Sequence, residues 1–154
     1  MDTIRWVQDL PLSMWIRQSS WMMLALLILH LFGLGFLTGA GGLIAGRALG
    51  LARGVEPERF ACFVPVMWVG FGLMLVSGGL LLAAYPIKAT SPILYVKFGF
   101  LIGAALLTRV LLLRFAIPLE DRYALPPWSR VTGFAIFVMW FGAIACGELL
   151  KHAR

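Results

Sequence analysis

Residues 20–44 read SWMMLALLILHLFGLGFLTGAGGLI and carry no Asp, Glu, Lys or Arg. The run exceeds the roughly 20 residues that a helix needs to cross a hydrocarbon core of about 30 Å. Lipid offers the backbone no hydrogen-bond partners, so a stretch in this environment must be a helix that pairs its own amides and carbonyls. The run therefore predicts a transmembrane helix.

Three further apolar runs follow, at residues 60–85, 92–113 and 131–150. Hydrophobic residues make up 61% of the 154 residues and charged residues 13%, about half the charged share of a soluble domain. Short connections favour contact between helices that follow each other in the chain. The sequence predicts an all-α protein, with one integral membrane domain over residues 1–154 that forms an antiparallel four-helix transmembrane bundle.

The segment before the first run, residues 2–17, has charges of both signs and two tryptophans. Trp6 and Trp15 suit the headgroup region, where an amphipathic indole lies between lipid and water. We expect a short interfacial helix over residues 2–17, bent at Pro11.

The chain is basic, with a net charge of +6. No cluster of Lys and Arg with interleaved aromatic residues lies outside the spans, so nucleic acid is not an expected partner. Basic residues flank the spans instead, where anionic headgroups attract them. The charge therefore predicts the lipid bilayer as the partner.

The predicted topology divides the basic residues almost equally between two sides. One side has Arg5, Arg17, Lys88, Lys97, Lys151 and Arg154, and the other has Arg47, Arg53, Arg59, Arg109, Arg114, Arg122 and Arg130. The two loops on the second side are denser in Arg. By the positive-inside rule we expect that side in the cytoplasm and both termini outside it.

Glycines in two of the predicted spans recur at helical spacing. Gly35, Gly39, Gly42 and Gly46 lie on one face of the first span, and Gly99 and Gly103 have the same spacing in the third. Small residues let a neighbouring helix approach closely in a membrane. Two interpretations remain open: helix packing inside the bundle, or packing against a partner or a second copy.

One ionisable side chain, His30, lies near the middle of the first span, almost opposite the glycine face. Ionisable groups at membrane depth are candidates for function. His30 could hydrogen-bond another intramembrane polar residue, with Ser77, Thr38 and Trp140 as the candidates. It could ligate haem together with Met74, which lies at a similar predicted depth. It could also relay a proton or contact a substrate.

Catalytic patterns are absent from the sequence. No pair of carboxylates shares a span, and the sequence has neither a phosphate-cradling loop nor an HExxH motif. We therefore predict no catalytic residue and no metal site. The leading hypothesis is a non-catalytic accessory, assembly or oligomeric packing subunit of a membrane complex, whose partners are other membrane subunits or itself. The alternative is a haem-binding redox subunit with His30 as an axial ligand.

Several short motifs recur across the first three spans: Trp21, His30, Gly33, Gly39, residues 47–51, residues 68–71, residues 77–81, Pro92, Tyr95 and Lys97. With these motifs, residues 12–113 resemble small, uncharacterised bacterial four-helix inner-membrane proteins. The chain has Gly46 where those proteins have Asp, and Ser91 where they have Asn. The resemblance implies a multi-pass protein of the bacterial inner membrane. A more distant likeness to four-helix cytochrome b and copper-resistance membrane proteins implies haem, through His30.

Overall fold

The computed structural model describes residues 6–115 and 125–152, with side chains as far as Leu150. Residues 6–8 are helical, and the chain turns at Asp9 and Leu10. The α-helices that follow are α1 (Pro11–Gln18), α2 (Ser20–Leu49), α3 (Val64–Ala84), α4 (Pro92–Phe115) and α5 (Trp128–His152). Two 3₁₀ helices, Pro57–Phe63 and Pro86–Thr90, precede α3 and α4. The predicted all-α class is confirmed, and the described residues include no strand.

Four segments of the described chain are long and apolar enough to cross a membrane, and they correspond to the four predicted spans. Their outer surfaces carry large hydrophobic side chains, including Trp21, which is 83% exposed, and Trp68, which is 67% exposed. An apolar surface of this extent needs lipid rather than water around it. The fold indicates a polytopic membrane protein.

The helix α2 continues to Leu49, beyond the predicted end at residue 44. It ends because Gly50 adopts a left-handed conformation (φ 102°), which lets the Gly50 and Leu51 amides bond back to Arg47 and Gly46. Arg47 is buried, and its Nε donates to the Val55 carbonyl at 3.0 Å. This hydrogen bond ties the loop to the helix. The prediction was too short because Gly46 and Arg47 look like loop residues in sequence.

Two ends of the bundle are named here by their 3₁₀ helices. At the Pro57 end, α2 finishes, α3 begins after Pro57–Phe63, and α5 begins. At the Pro86 end, Pro86–Thr90 joins α3 to α4, and Lys88 Nζ donates to the carbonyl of Leu150 in α5 at 2.9 Å. The short helix α1 also lies at the Pro86 end, because Ser13 Oγ donates to the Ala83 carbonyl of α3 at 3.0 Å.

The helices pack in the order α3, α2, α5, α4. The helix α2 packs on α3 and α5, and α4 packs on α5. Within the described residues, α3 and α4 do not form a packed pair, although they follow each other in the chain. The expectation that consecutive helices are neighbours is therefore wrong for this pair. The structure consists of two helical hairpins, α2–α3 and α4–α5, which meet through α2 and α5.

The main hydrophobic core lies towards the Pro57 end. It is built around fully buried Ile44, Leu111 and Ile136, with Phe60 and Phe115 beside them. A smaller cluster of Ile16, Leu26 and Ala84 joins α1, α2 and α3 at the Pro86 end, and α4 and α5 contribute no residue to it. The four helices therefore share a core in one half of the bundle only.

The predicted interfacial helix corresponds to residues 6–8 and α1, while residues 2–5 lie outside the described chain. The predicted break near Pro11 is present, because the chain turns before Pro11 and α1 starts there. Trp6 and Trp15 are more than half exposed.

Candidate functional site

His30 and Ser77 form a polar pair between α2 and α3. His30 Nδ1 lies 2.9 Å from Ser77 Oγ, and Ser77 is fully buried. Ser77 Oγ also lies within hydrogen-bond distance of the Leu73 carbonyl oxygen, which can only accept. Both contacts are made together in the tautomer with the imidazole proton on Nδ1, where Ser77 accepts from His30 and donates to Leu73, and Nε2 then keeps a free lone pair. Nε2 has no hydrogen-bond partner in the described part of the chain.

Ser77 is therefore the partner of His30 among the three that the sequence suggested. Thr38 donates to the carbonyl of Leu34, one turn earlier, at 2.7 Å. Trp140 lies against Gly41, whose ideal Cβ position is 2.8 Å from the indole Nε1. Eleven residues of α2 separate this contact from His30, so the prediction that placed Trp140 at the depth of His30 is wrong. The buried Trp140 Nε1–H has no acceptor among the described residues.

The His30 ring packs against α3 at Gly78, which has no side chain. An ideal Cβ on Gly78 would lie 3.2 Å from His30 Cε1. His30 shares its helix face with Leu37 and Ile44, which follow at intervals of seven residues. Leu37 and Ile44 are buried, whereas His30 is only half-buried. The interior face of α2 is therefore open at His30, ten residues after the start of the helix at the Pro86 end.

A second ionisable residue, Lys97 of α4, extends towards the same region. Its Nζ lies 3.5 Å from the ideal Cβ position of Gly147 in α5, so the missing side chain there leaves room for the ammonium. Lys97 lies within electrostatic range of His30 and of the buried Cys146. Among residues 6–115 and 125–150, no carboxylate is within ion-pair distance of Lys97. Lys97 was not a predicted site residue, because snorkelling to headgroups explained it in sequence.

The haem hypothesis needs space between His30 and Met74. The helices α2 and α3 approach each other closely beside Met74, where an ideal Cβ on Gly33 would lie 2.9 Å from the Met74 backbone nitrogen. Met74 is itself buried in the hydrophobic core. A porphyrin between two axial ligands needs a separation that touching helices do not offer. The pair His30 and Met74 therefore does not fit a haem.

The predicted glycine face points mostly away from the bundle. Ideal Cβ atoms on Gly35, Gly39 and Gly99 meet no atom within 4 Å. Gly42 makes only ordinary contact with Phe137, and Gly46 faces Leu51 of its own loop. Packing inside the bundle therefore does not account for Gly35 and Gly39, whereas Gly42 packs on α5. Among the predicted glycines, only Gly103 is tightly packed against another helix, since an ideal Cβ on Gly103 would lie 3.2 Å from Met139 Sδ.

Close helix contacts in the bundle use glycines that the spacing did not single out. Gly33 of α2 faces Gly70 of α3, and an ideal Cβ on Gly70 would lie 2.7 Å from the Leu37 backbone nitrogen. Gly133 of α5 meets α2 in the same way, with an ideal Cβ 2.7 Å from the Ala45 carbonyl oxygen. Gly33 and Gly70 look isolated in sequence, and only the register of the two helices pairs them.

The remaining candidate ligands do not converge. Cys62 is exposed at the Pro57 end and Cys146 is buried towards the Pro86 end, and both are free. In the described ranges, no three residues among His, Cys, Asp and Glu lie close enough to hold a metal ion. The chain's chemistry at membrane depth therefore centres on His30, Ser77 and Lys97. No protein-family model, no curated protein and no solved structure matches this chain.

Proposed function

We propose that this protein is a non-catalytic packing subunit of a bacterial inner-membrane complex. A membrane helix, from a larger complex or from a second copy of the chain, packs along the outer face of α2. The observation that carries the proposal is the pair Gly35 and Gly39, which lie one turn apart with no atom within 4 Å of either ideal Cβ.

Outward glycines are costly for an isolated bundle. A glycine in a helix interior costs about 0.5–1 kcal/mol relative to alanine, and here the cost is not recovered by contacts within the chain. Small residues spaced by four let another backbone approach, which is how membrane helices gain dispersion contacts in lipid. The glycines that join α2 to α3 are Gly33 and Gly70, so Gly35 and Gly39 are available to a partner.

Aromatic side chains give this face a definite shape. Phe32 and Phe36 are exposed on the same side of α2, with ring centroids 6.5 Å apart. They form a ridge beside the groove that Gly35 and Gly39 leave. A ridge next to a groove selects the crossing position of a neighbouring helix, which a uniform lipid-facing surface does not.

The test replaces both Gly35 and Gly39 with leucine. We expect the assembly, purified in mild detergent and sized by native mass spectrometry, to dissociate while the subunit itself stays folded. The matched control replaces Gly72 and Gly79 of α3, whose ideal Cβ atoms also meet nothing within 4 Å. This control should leave the assembly intact.

Two results would contradict the proposal. A native protein that runs as a lone monomer without any co-purifying membrane subunit removes the packing role. Dissociation by the Gly72 and Gly79 control alone would assign the contact to α3 instead of α2.

A further inference from the structure

The half of the bundle nearer the Pro86 end combines an unpaired cation with an unused hydrogen-bond acceptor. Lys97 has no carboxylate within ion-pair distance in residues 6–115 and 125–150. His30 Nε2 is left free because Nδ1 donates to Ser77. An unpaired ammonium at this depth is costly, and a bound anion would offset that cost. The two groups together require a ligand that is anionic, accepts from Lys97 and donates to His30.

Access to these groups is lateral. The helices α3 and α4 do not pack against each other in the described structure, and the main core lies in the other half of the bundle. The α3–α4 gap, which is the space between these two helices at the Pro86 end, therefore faces the bilayer. A molecule dissolved in lipid can enter it without crossing water.

The depth of Lys97 suits a headgroup. Lys97 lies five residues after Pro92, the first residue of α4, which is about 7 Å along the helix axis. Helix side chains lean towards the helix N-terminus, so the ammonium is carried towards the Pro86 end. The phosphate of a membrane lipid can reach this level while its chains stay in the hydrocarbon.

We propose that the α3–α4 gap binds a lipid phosphomonoester, with Lys97 holding a phosphate oxygen and His30 Nε2 accepting from the P–OH group. The phosphate group of a phosphodiester lipid has no P–OH and offers only acceptors to His30. A carboxylate likewise offers only acceptors, and a quinol is neutral and leaves Lys97 without a counter-charge. The phosphomonoester monoanion satisfies both groups with one compact headgroup.

The experiment compares dioleoyl phosphatidic acid with dioleoyl phosphatidylmethanol, a phosphodiester whose headgroup has no hydroxyl, by native mass spectrometry of lipid adducts in detergent. The measurement is made near pH 5, about one unit below the second pKa of a phosphomonoester, where most of the phosphatidic acid is the monoanion and its charge is close to that of a phosphodiester. We expect phosphatidic acid to bind about tenfold more tightly, the scale of one hydrogen bond to a charged group.

Substitutions separate the two contacts. Lys97→Gln should lower the affinity for both lipids about tenfold. Lys97→Arg should retain the affinity for both. His30→Leu should weaken the binding of phosphatidic acid alone, to the level of phosphatidylmethanol. The control Arg17→Gln removes an exposed cation whose Nη2 donates to the Gln8 carbonyl at 2.7 Å, and it should change neither lipid by more than about twofold.

A second variant tests the role of His30 if the His30→Leu protein does not fold. Ser77→Ala frees His30 Nδ1 from its acceptor, so the imidazole can carry its proton on Nε2 instead. The preference for phosphatidic acid should then narrow, because Nε2–H can donate to a phosphodiester.

Three results would overturn the proposal. Equal binding of the two lipids by the native protein removes the role of His30. Displacement of the lipid by inorganic phosphate would assign the gap to free phosphate. Displacement by a neutral quinol would assign it to that class of molecule.

Discussion

At the scale of single residues, Gly33 and Gly35 lie two positions apart on α2 and face opposite surroundings. Gly33 faces the backbone of α3, with an ideal Cβ 2.9 Å from Met74 N and 3.0 Å from Gly70 O, whereas Gly35 faces open space. Side chains two apart in a helix point to different faces. The same residue type therefore serves a helix contact at one position and an outer surface at the other.

Substitution of these two glycines by alanine should change the stability of the protein in opposite directions. Gly33→Ala should destabilise the protein by about 1–3 kcal/mol, because the methyl group meets backbone atoms and the helices must separate. Gly35→Ala should be neutral or stabilising by up to about 1 kcal/mol, because alanine favours the helix. Thermal unfolding in detergent measures both, and equal stability of the two variants would show that the close contact contributes nothing.

The residues also show what the sequence can predict. Helical spacing correctly placed His30 opposite Gly35 and Gly39, because rotation per residue is fixed. It did not tell which of the two faces points inwards, and the inward face turned out to be that of His30. The Gly33–Gly70 contact and the position of Lys97 against Gly147 depend on the register between helices, which one helix alone does not encode.

At the scale of elements, α1 is attached to the bundle by a polar contact and a small apolar cluster. Ser13 is buried and donates to the Ala83 carbonyl, in the last turn of α3. Carbonyls in the last turn of a helix have no partner within the helix. Ile16, Leu26 and Ala84 pack beside this hydrogen bond. The helix α1 therefore caps α3 while Trp15 on its other side stays exposed.

Loss of the Ser13 hydroxyl should loosen this element. We expect Ser13→Ala to lower the free energy of unfolding by about 1–2 kcal/mol, since a buried carbonyl loses its donor. Ser20→Ala is the matched control, because Ser20 is exposed at the start of α2. If thermal unfolding in detergent does not distinguish the two variants, the hydrogen bond does not stabilise α1.

At the scale of the whole molecule, the number of spans places both ends of the described chain on one side. The described N-terminal residues and Leu150 both lie at the Pro86 end. Arg47, Arg53 and Arg59 lie near the Pro57 end, and the loop there is short enough for the positive-inside rule to apply. We propose that the Pro57 end faces the cytoplasm and both termini face away from it.

Native cysteines report this orientation without any substitution. Cys62 is exposed at the Pro57 end, and Cys146 is buried. A membrane-impermeant maleimide should label Cys62 in inverted vesicles and leave it unlabelled in intact spheroplasts. Labelling with the reverse preference would place the termini in the cytoplasm.

The four-helix class was predictable because each span is a continuous apolar run, whereas the arrangement of the spans was not. Nothing in the runs at residues 60–85 and 92–113 indicates that the corresponding helices stay apart. That separation arises because α2 and α5 hold the two hairpins together through Gly41, Trp140 and Gly133. Contacts of this kind depend on side-chain shape across helices, and the apolar pattern of a single helix does not contain them.

The division into two hairpins has a consequence for biogenesis. The helices α2 and α3 are complete as a pair before α4 is synthesised, because all of their mutual contacts lie within residues 20–84. The second pair can then assemble in the bilayer from α4 and α5 and dock onto a partner already in place, as expected when membrane helices insert first and associate afterwards. Each newly inserted hairpin thus finds its nearest partner in its own sequence, and only the docking of α5 on α2 has to wait for the whole chain.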